Sequence, residues 1–233
     1  MPTLNILSAG AAQAVSERIV DAFKRDARCD VVAEFGAVGA MKARLESGAA
    51  ADVIILTRAM INELEQAGVV ERDSRVDLGT VATGVAVHRD AAVPDVQTSE
   101  RLRNAILGAS TIVCPDPAIA TAGKVVLALL EKLGIAQTVQ SRLRFFPNGY
   151  AAMRWLAESG TASDMGITQV TEILPNKGVA YAGPLPPEHQ MKTVYSAALV
   201  SRAAEPRLAR ELLARYSGDA ARALLREAGY EAG

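Results

Sequence analysis

Aromatic residues make up only 4% of this 233-residue chain, and no basic run interrupts its formal net charge of −1. A surface that stacks bases or tracks a phosphate backbone needs both, so nucleic acid and anionic membrane surfaces are excluded as main partners. Cysteine is nearly missing. Cys29 and Cys114 stand far apart in no metal-ligand spacing, and they read as two buried thiols rather than a disulfide or a nucleophile. With only His88 and His189 besides, no metal and no cofactor is expected. No apolar run approaches the roughly 20 residues of a membrane span, so no membrane insertion is expected. A secretory leader is missing too, since Met1-Pro2-Thr3 runs straight into the first strand. As it stands the sequence is expected in the cytoplasm, and in the periplasm if a leader ahead of Met1 has been removed.

Half the residues are apolar and 22% are charged, the balance of an ordinary globular protein with enough chain for one large domain or two small ones. The organising stretch is Leu4-Asn5-Ile6-Leu7-Ser8-Ala9-Gly10-Ala11-Ala12-Gln13. Its start reads as a buried strand, Ser8-Ala9-Gly10 as a small-residue turn, and residues 12–28 as a helix. Val15, Ile19 and Phe23 recur four apart, on one helical face. A strand that turns tightly into a helix leaves the first helical N–H groups unpaired and aimed beyond the strand end. With the positive end of the helix dipole, those donors suit an anion.

That rhythm recurs. Residues 30–35 read as a strand, Gly36-Ala37-Val38-Gly39 as the turn into a helix reaching about Ser47, and 52–56 as a strand buried on both faces. Thr57 is placed to cap a helix over 58–67. A strand over 81–88 follows, then a proline-bearing loop and a helix over 100–107. The second half repeats the pattern. A strand over 111–114 breaks at Pro115-Asp116-Pro117 into a helix ending near Leu133, with Gly134 as its stop. A strand over 143–146 turns at Pro147-Asn148-Gly149-Tyr150 into a helix over 151–158. Met165-Gly166-Ile167 is a strand, and Thr168-Gln169 begins one more helical turn. Residues 178–181 read as a strand, and Gly183-Pro184-Leu185-Pro186-Pro187 as a rigid extended connector. A strand over 194–200 and two amphipathic helices with solvated arginines, over 205–216 and 218–229, complete the chain. In a parallel α/β sheet the strands' C-terminal ends share one edge, where ligands bind.

Several weak motifs in a consistent order carry a family resemblance: residues 7–15, 35–41, 45–56 with Gly48 and Ala51-Asp52-Val53, Asp116-Pro117 through Gly123, and Gly166-Ile167. The chain resembles the molybdate-binding-protein branch of the type II periplasmic solute-binding fold. The resemblance implies an α/β, two-lobed protein, each lobe a mostly parallel sheet flanked by helices, with a ligand cleft between lobes. Lobe I would comprise residues 1–84 and 193–233 and lobe II residues 85–192, joined by crossing strands near 83–86 and 192–195. Ligand contacts would come from Ser8, Ala9, Gly10 and Ala11 at the first turn, Ala37, Val38 and Gly39 at the second, and Arg58 at the third. The second lobe would add Thr121, Ala122 and Lys124, then Asn148, Gly149 and Tyr150, then Thr168 and Gln169.

The departures from the family pattern point away from molybdate. The family's hydroxyl donors would fall near Ala11, Val38 and Gln169, and none of these carries a hydroxyl. Oxygens left unpaired at a tight oxyanion site cost roughly 1–3 kcal/mol each. Arg58 and Lys124 instead sit in first helical turns, where positive charge is disfavoured by roughly 0.3–1 kcal/mol unless an anion is present. An arginine fork suits a planar carboxylate. The expected ligand is therefore a small organic di- or tricarboxylate.

Two functions remain open. One is a solute receptor that closes on a small anion and, if exported, presents it to the permease of an ABC transporter. The other is an enzyme, because the same branch is similar to aconitate isomerase, which shifts a proton along an allylic tricarboxylate. For that chemistry Lys124, Glu172, His88 and, through a water, Tyr150 are the acid/base candidates, and none is singled out. A sensing module that binds without turnover is a third possibility.

Overall fold

In the computed structural model, which describes residues 1–231, the opening apolar stretch forms strand β1 (Thr3–Ala9). A short 3-10 turn, Gly10–Ala12, leads into helix α1 (Gln13–Ala27), which buries Val15, Ile19 and Phe23 as their spacing predicts. β2 (Asp30–Gly36), α2 (Val38–Glu46), β3 (Val53–Thr57) and α3 (Arg58–Gln66) follow. β1 runs parallel to both β2 and β3. All of β3 is buried, which is why it reads as an unbroken apolar run.

The chain divides into two units, Met1–Val81 with Thr193–Gly233 and Ala82–Lys192. The first unit is completed by β4 (Val76–Val81), which precedes the division, and by β10 (Thr193–Leu199), α9 (Pro206–Ser217), α10 (Asp219–Glu227) and β11 (Tyr230–Glu231), which follow it. Its sheet order is β11-β4-β10-β3-β1-β2. Proline opens α9 at its first turn, where the missing N–H costs nothing.

The second unit holds β5 (Thr83–His88), α4 (Ser99–Gly108), β6 (Ile112–Pro115), α5 (Thr121–Lys132) and the short α6 (Ala136–Val139). β7 (Leu143–Phe146), α7 (Gly149–Ser159), β8 (Met165–Gln169), α8 (Val170–Ile173) and β9 (Val179–Pro184) complete it. Its sheet order is β7-β6-β8-β5-β9, with β6 parallel to β7 and β8, and β5 antiparallel to β8 and β9. Gly134, at φ +67°, ends α5 as its sequence position predicts.

Four expectations need correction. Ser8 and Ala9 belong to the strand, because the β1–β2 ladder continues to Ala9 opposite Gly36. The strand expected over 81–88 is the end of β4 and all of β5, which pair in different sheets. Their run of valines and small residues continues across Ala82 without a break, so the joint leaves no mark in the sequence. Thr83 and Gly84 pair with Gln169 and Thr168 of β8. Thr168 and Gln169 are likewise strand, held by pairing with Gly84 and Thr83, and the helical turn begins at Val170. Gly183 and Pro184, read as connector, end β9, an edge strand where a missing N–H is tolerated.

Candidate functional site

At the strand ends of the first unit the side chains are small. Ser8 is fully buried and its hydroxyl donates to the Ala9 carbonyl at 3.1 Å. Ala9 precedes the 3-10 turn without a side-chain cap, and Gly10 and Ala11 are buried. The Tyr230 hydroxyl donates to the Ala11 carbonyl at 3.1 Å. Ala37 opens α2, again with no side-chain cap; Val38 is buried and Gly39 half-buried. At the third strand end Thr57 does cap α3, its hydroxyl oxygen accepting from the Met60 N–H at 3.4 Å. Arg58 has a partner within its own unit. Its Nη1 lies 3.1 Å from Asp77 Oδ2, and Asp77 Oδ1 also accepts from the Ser196 hydroxyl at 2.6 Å. An internal carboxylate thus already offsets the first-turn cation.

The second unit's strand ends are more polar, and those at the end of β8 are buried. α5 starts without a side-chain cap, with Thr121 half-buried, Ala122 buried and Lys124 exposed in its first turn. Lys124 has no ion pair among the described residues. Asn148 caps α7, its Oδ1 accepting from the Ala151 N–H at 2.8 Å. Tyr150 is half-buried in that first turn. The pleat of β8 then separates its last two residues. Thr168 projects with Gly166 towards α7, while Gln169 projects with Met165 and Ile167 towards the core that α5 covers.

Behind Thr168 lies Glu172. Its Oε2 accepts from the Thr168 hydroxyl at 2.6 Å and its Oε1 from the Gly149 N–H at 3.2 Å. Burial pushes the carboxyl up to about 7, against the opposing hydrogen bonds from Thr168 and from the N–H groups of Gly149, Gln169 and Tyr150. Desolvation outweighs those bonds, so both protonation states are populated near neutral pH. Glycine at 149 is required by this approach, since a Cβ there would land on the Glu172 carboxylate and the Thr168 hydroxyl. Gln169 is 1% exposed, and neither its Oε1 nor its Nε2 has a hydrogen-bond partner; the same holds for the buried hydroxyl of Thr83, directly opposite in β5.

The other acid/base candidates lie elsewhere. His88 ends β5 beyond the Val87–Met165 pair, at the sheet edge opposite to Gln169, and its Nδ1 accepts from the Asp90 N–H at 3.3 Å. His189 Nε2 lies 2.8 Å from the Ser99 hydroxyl, which donates to Glu188. Both cysteines are buried and free, and burial with the nearby Asp116 pushes the Cys114 thiol up to about 12, which removes it as a nucleophile. Thr83 escaped the sequence reading. Its one signal is a hydroxyl heading the otherwise apolar Gly84-Val85-Ala86-Val87.

Residues 4–231 match the model of a family described as bacterial extracellular solute-binding protein. This chain belongs to that family. Among solved solute-binding proteins it is similar to the periplasmic molybdate-binding protein of Azotobacter vinelandii, at 20% identity over 99% of both chains with a TM-score of 0.80. It is also similar to a sulfate-binding protein of Mycobacterium tuberculosis, at 16% identity over 99% of this chain and 86% of that one, TM-score 0.76. Both likenesses establish the type II periplasmic solute-binding fold. A curated relative, the aconitate isomerase of a Pseudomonas species, is 27% identical over 95% of this chain and 85% of its own length. Among the described residues no helix of this solute-binding protein is long and apolar enough to cross a membrane.

Proposed function

We propose that this solute-binding protein takes a small organic di- or tricarboxylate. In the receptor reading it acts outside the cytoplasmic membrane and delivers the acid to an ABC-transporter permease. The observation that supports this ligand class lies in the second unit: the Gln169 amide is buried, and neither its Oε1 nor its Nε2 has a partner. An organic acid can carry a donor beside its carboxylate and so satisfy both ends of that amide, whereas a fully ionised inorganic oxyanion offers acceptors only. Backbone N–H groups at the uncapped start of α5, in the same unit, supply positive potential that suits a carboxylate. Thermal melts test this. Citrate, malate or trans-aconitate at about 100 times its Kd should add about 2.7 kcal/mol. A shift with molybdate or sulfate and none with carboxylates overturns the reading.

Glu172 favours a second reading, an isomerase of the kind its curated relative represents. An allylic shift removes a proton from a methylene carbon, moves the double bond, and returns a proton at the far carbon. One group that is both acid and base near neutral pH can serve both ends. Of the four candidates Glu172 alone is buried, and that burial pushes its carboxyl up to about 7. Incubation with cis- and trans-aconitate in heavy water, followed by NMR, decides: interconversion with deuterium uptake supports the enzyme, and stable binding without exchange supports the receptor.

A further inference from the structure

Among the described residues, the buried side-chain atoms without a hydrogen-bond partner all lie in the second unit: on Thr83, Gln169, Thr171 and His189. Two of these residues form a pair. Thr83 stands directly opposite Gln169 in the antiparallel β5–β8 ladder, so their side chains share one face with Cβ atoms about 4.5–5.5 Å apart. Both are out of water's reach, at 0% and 1% exposure.

Their backbones are pinned. The Thr83 N–H donates to Gln190 Oε1 at 2.8 Å, and the Thr83 carbonyl accepts from Gln190 Nε2 at 2.9 Å and from the Leu185 N–H at 3.0 Å. The Gln169 N–H faces Glu172. Only the side-chain amide and hydroxyl are left without partners. Buried polar groups are almost always bonded, and one that is not calls for a specific reason. A primary amide moreover has two faces: Nε2–H gives hydrogen bonds and Oε1 only takes them. A fully ionised oxyanion is an acceptor throughout. It can satisfy Nε2, but it places negative oxygen against Oε1.

We propose that Gln169 and Thr83 together read a hydroxyl group beside the ligand's carboxylate, so that the preferred ligand is a small hydroxy-polycarboxylate. This rests on the carboxylate reading above. The carboxylate accepts from Nε2–H, the ligand hydroxyl donates to Oε1, and the Thr83 hydroxyl turns to whichever atom remains. The pair excludes inorganic oxyanions and ranks carboxylates by whether they carry a hydroxyl.

Calorimetric titration of the intact protein with matched ligands tests it: malate against succinate, citrate against tricarballylate, with trans-aconitate and sulfate alongside. The hydroxylated member of each pair is expected to bind about tenfold more tightly or better. Gln169→Leu and Thr83→Val should each collapse that ratio towards one. In ligand-free protein both substitutions remove an unpaired group, so Tm should hold or rise by about 2–4 °C, which also certifies that the variants fold. Equal affinities within the matched pairs, trans-aconitate bound more tightly than citrate, or a lowered Tm in both variants would overturn the inference while leaving the carboxylate reading intact. Binding of sulfate alone would overturn both.

Discussion

The two units repeat one strand order, but they treat their interiors in opposite ways. In each, the second parallel strand lies outside the first, the third lies inside it, and a strand from the chain crossing runs antiparallel beside the third: β2-β1-β3-β10 and β7-β6-β8-β5. Among the described residues of the first unit, buried polar groups such as Asp52 and Tyr216 find protein partners. Asp52 accepts from the N–H groups of Asn5 and Glu205 at 2.7 and 2.9 Å, and the buried Tyr216 hydroxyl donates to Ser16 at 2.8 Å. The second unit keeps a carboxyl poised between two charge states and leaves amide and hydroxyl groups unpaired. One topology therefore serves two purposes. Among the described residues the first unit satisfies its buried side chains, while the second carries unpaired groups at the end of β8 and the start of β5.

The largest test of that contrast is pH. Glu172 binds its proton more tightly in the folded state, with a value of about 7 against an ordinary 4.5. Between those values the folded protein holds a proton that the unfolded chain has released, so stability falls as pH rises from about 4.5 to about 7 and is level above. The loss is about 3 kcal/mol. Trp155, the chain's single tryptophan, lies in α7 of the second unit, so its fluorescence in denaturant melts reports on that unit. Glu172→Gln should flatten the profile; an unchanged slope would show that the carboxyl is not the group responsible. Gly149→Ala comes next. Its methyl group has to displace the Glu172 carboxylate or the Thr168 hydroxyl, at about 1–3 kcal/mol, and the double variant with Glu172→Ala should recover much of that.

The same edit should then give different results in the two units. Tyr216→Phe strips Ser16 of its donor inside a satisfied core and should cost about 1–2 kcal/mol. Thr171→Val deletes a hydroxyl that already lacks a partner, so its midpoint should stay within about 0.5 kcal/mol of wild type. Comparable losses from both would erase the distinction.

The periodic parts of this architecture were legible in sequence. Val15, Ile19 and Phe23 announce α1, and the unbroken run at β3 announces a strand buried on both faces. β4 was not legible, because Gly79 adopts φ +135° beside a register shift opposite Tyr195 and Ser196, which interrupts its alternation. That omission had a consequence: with β4 unseen, Asp77 could not be recognised as the partner of Arg58. Glu172 could be named as a candidate base, but not its contact with Gly149, 23 residues earlier. Side-chain bonds between distant elements leave no periodic trace, and unpaired atoms leave none at all until the surrounding packing is known.

Arg58 supplies the smallest and last comparison, since it is the first unit's one charged candidate and lies partly in solvent, with 44% of its side chain exposed. Asp77→Asn keeps an acceptor for the Ser196 hydroxyl but removes the charge that holds Arg58 and the nearby Arg75, whose Nε lies 3.3 Å away. Exposed pairs are worth under about 1 kcal/mol and are screened by salt, so the melting midpoint should shift by less than that and the shift should shrink in high salt. Carboxylate affinity should move the other way if Arg58 contributes to binding, because a released guanidinium has donors to offer and no internal anion to leave. A gain in affinity that salt abolishes would show a screened attraction between Arg58 and the ligand. An affinity that ignores both the substitution and the salt would remove Arg58 from the list of ligand contacts.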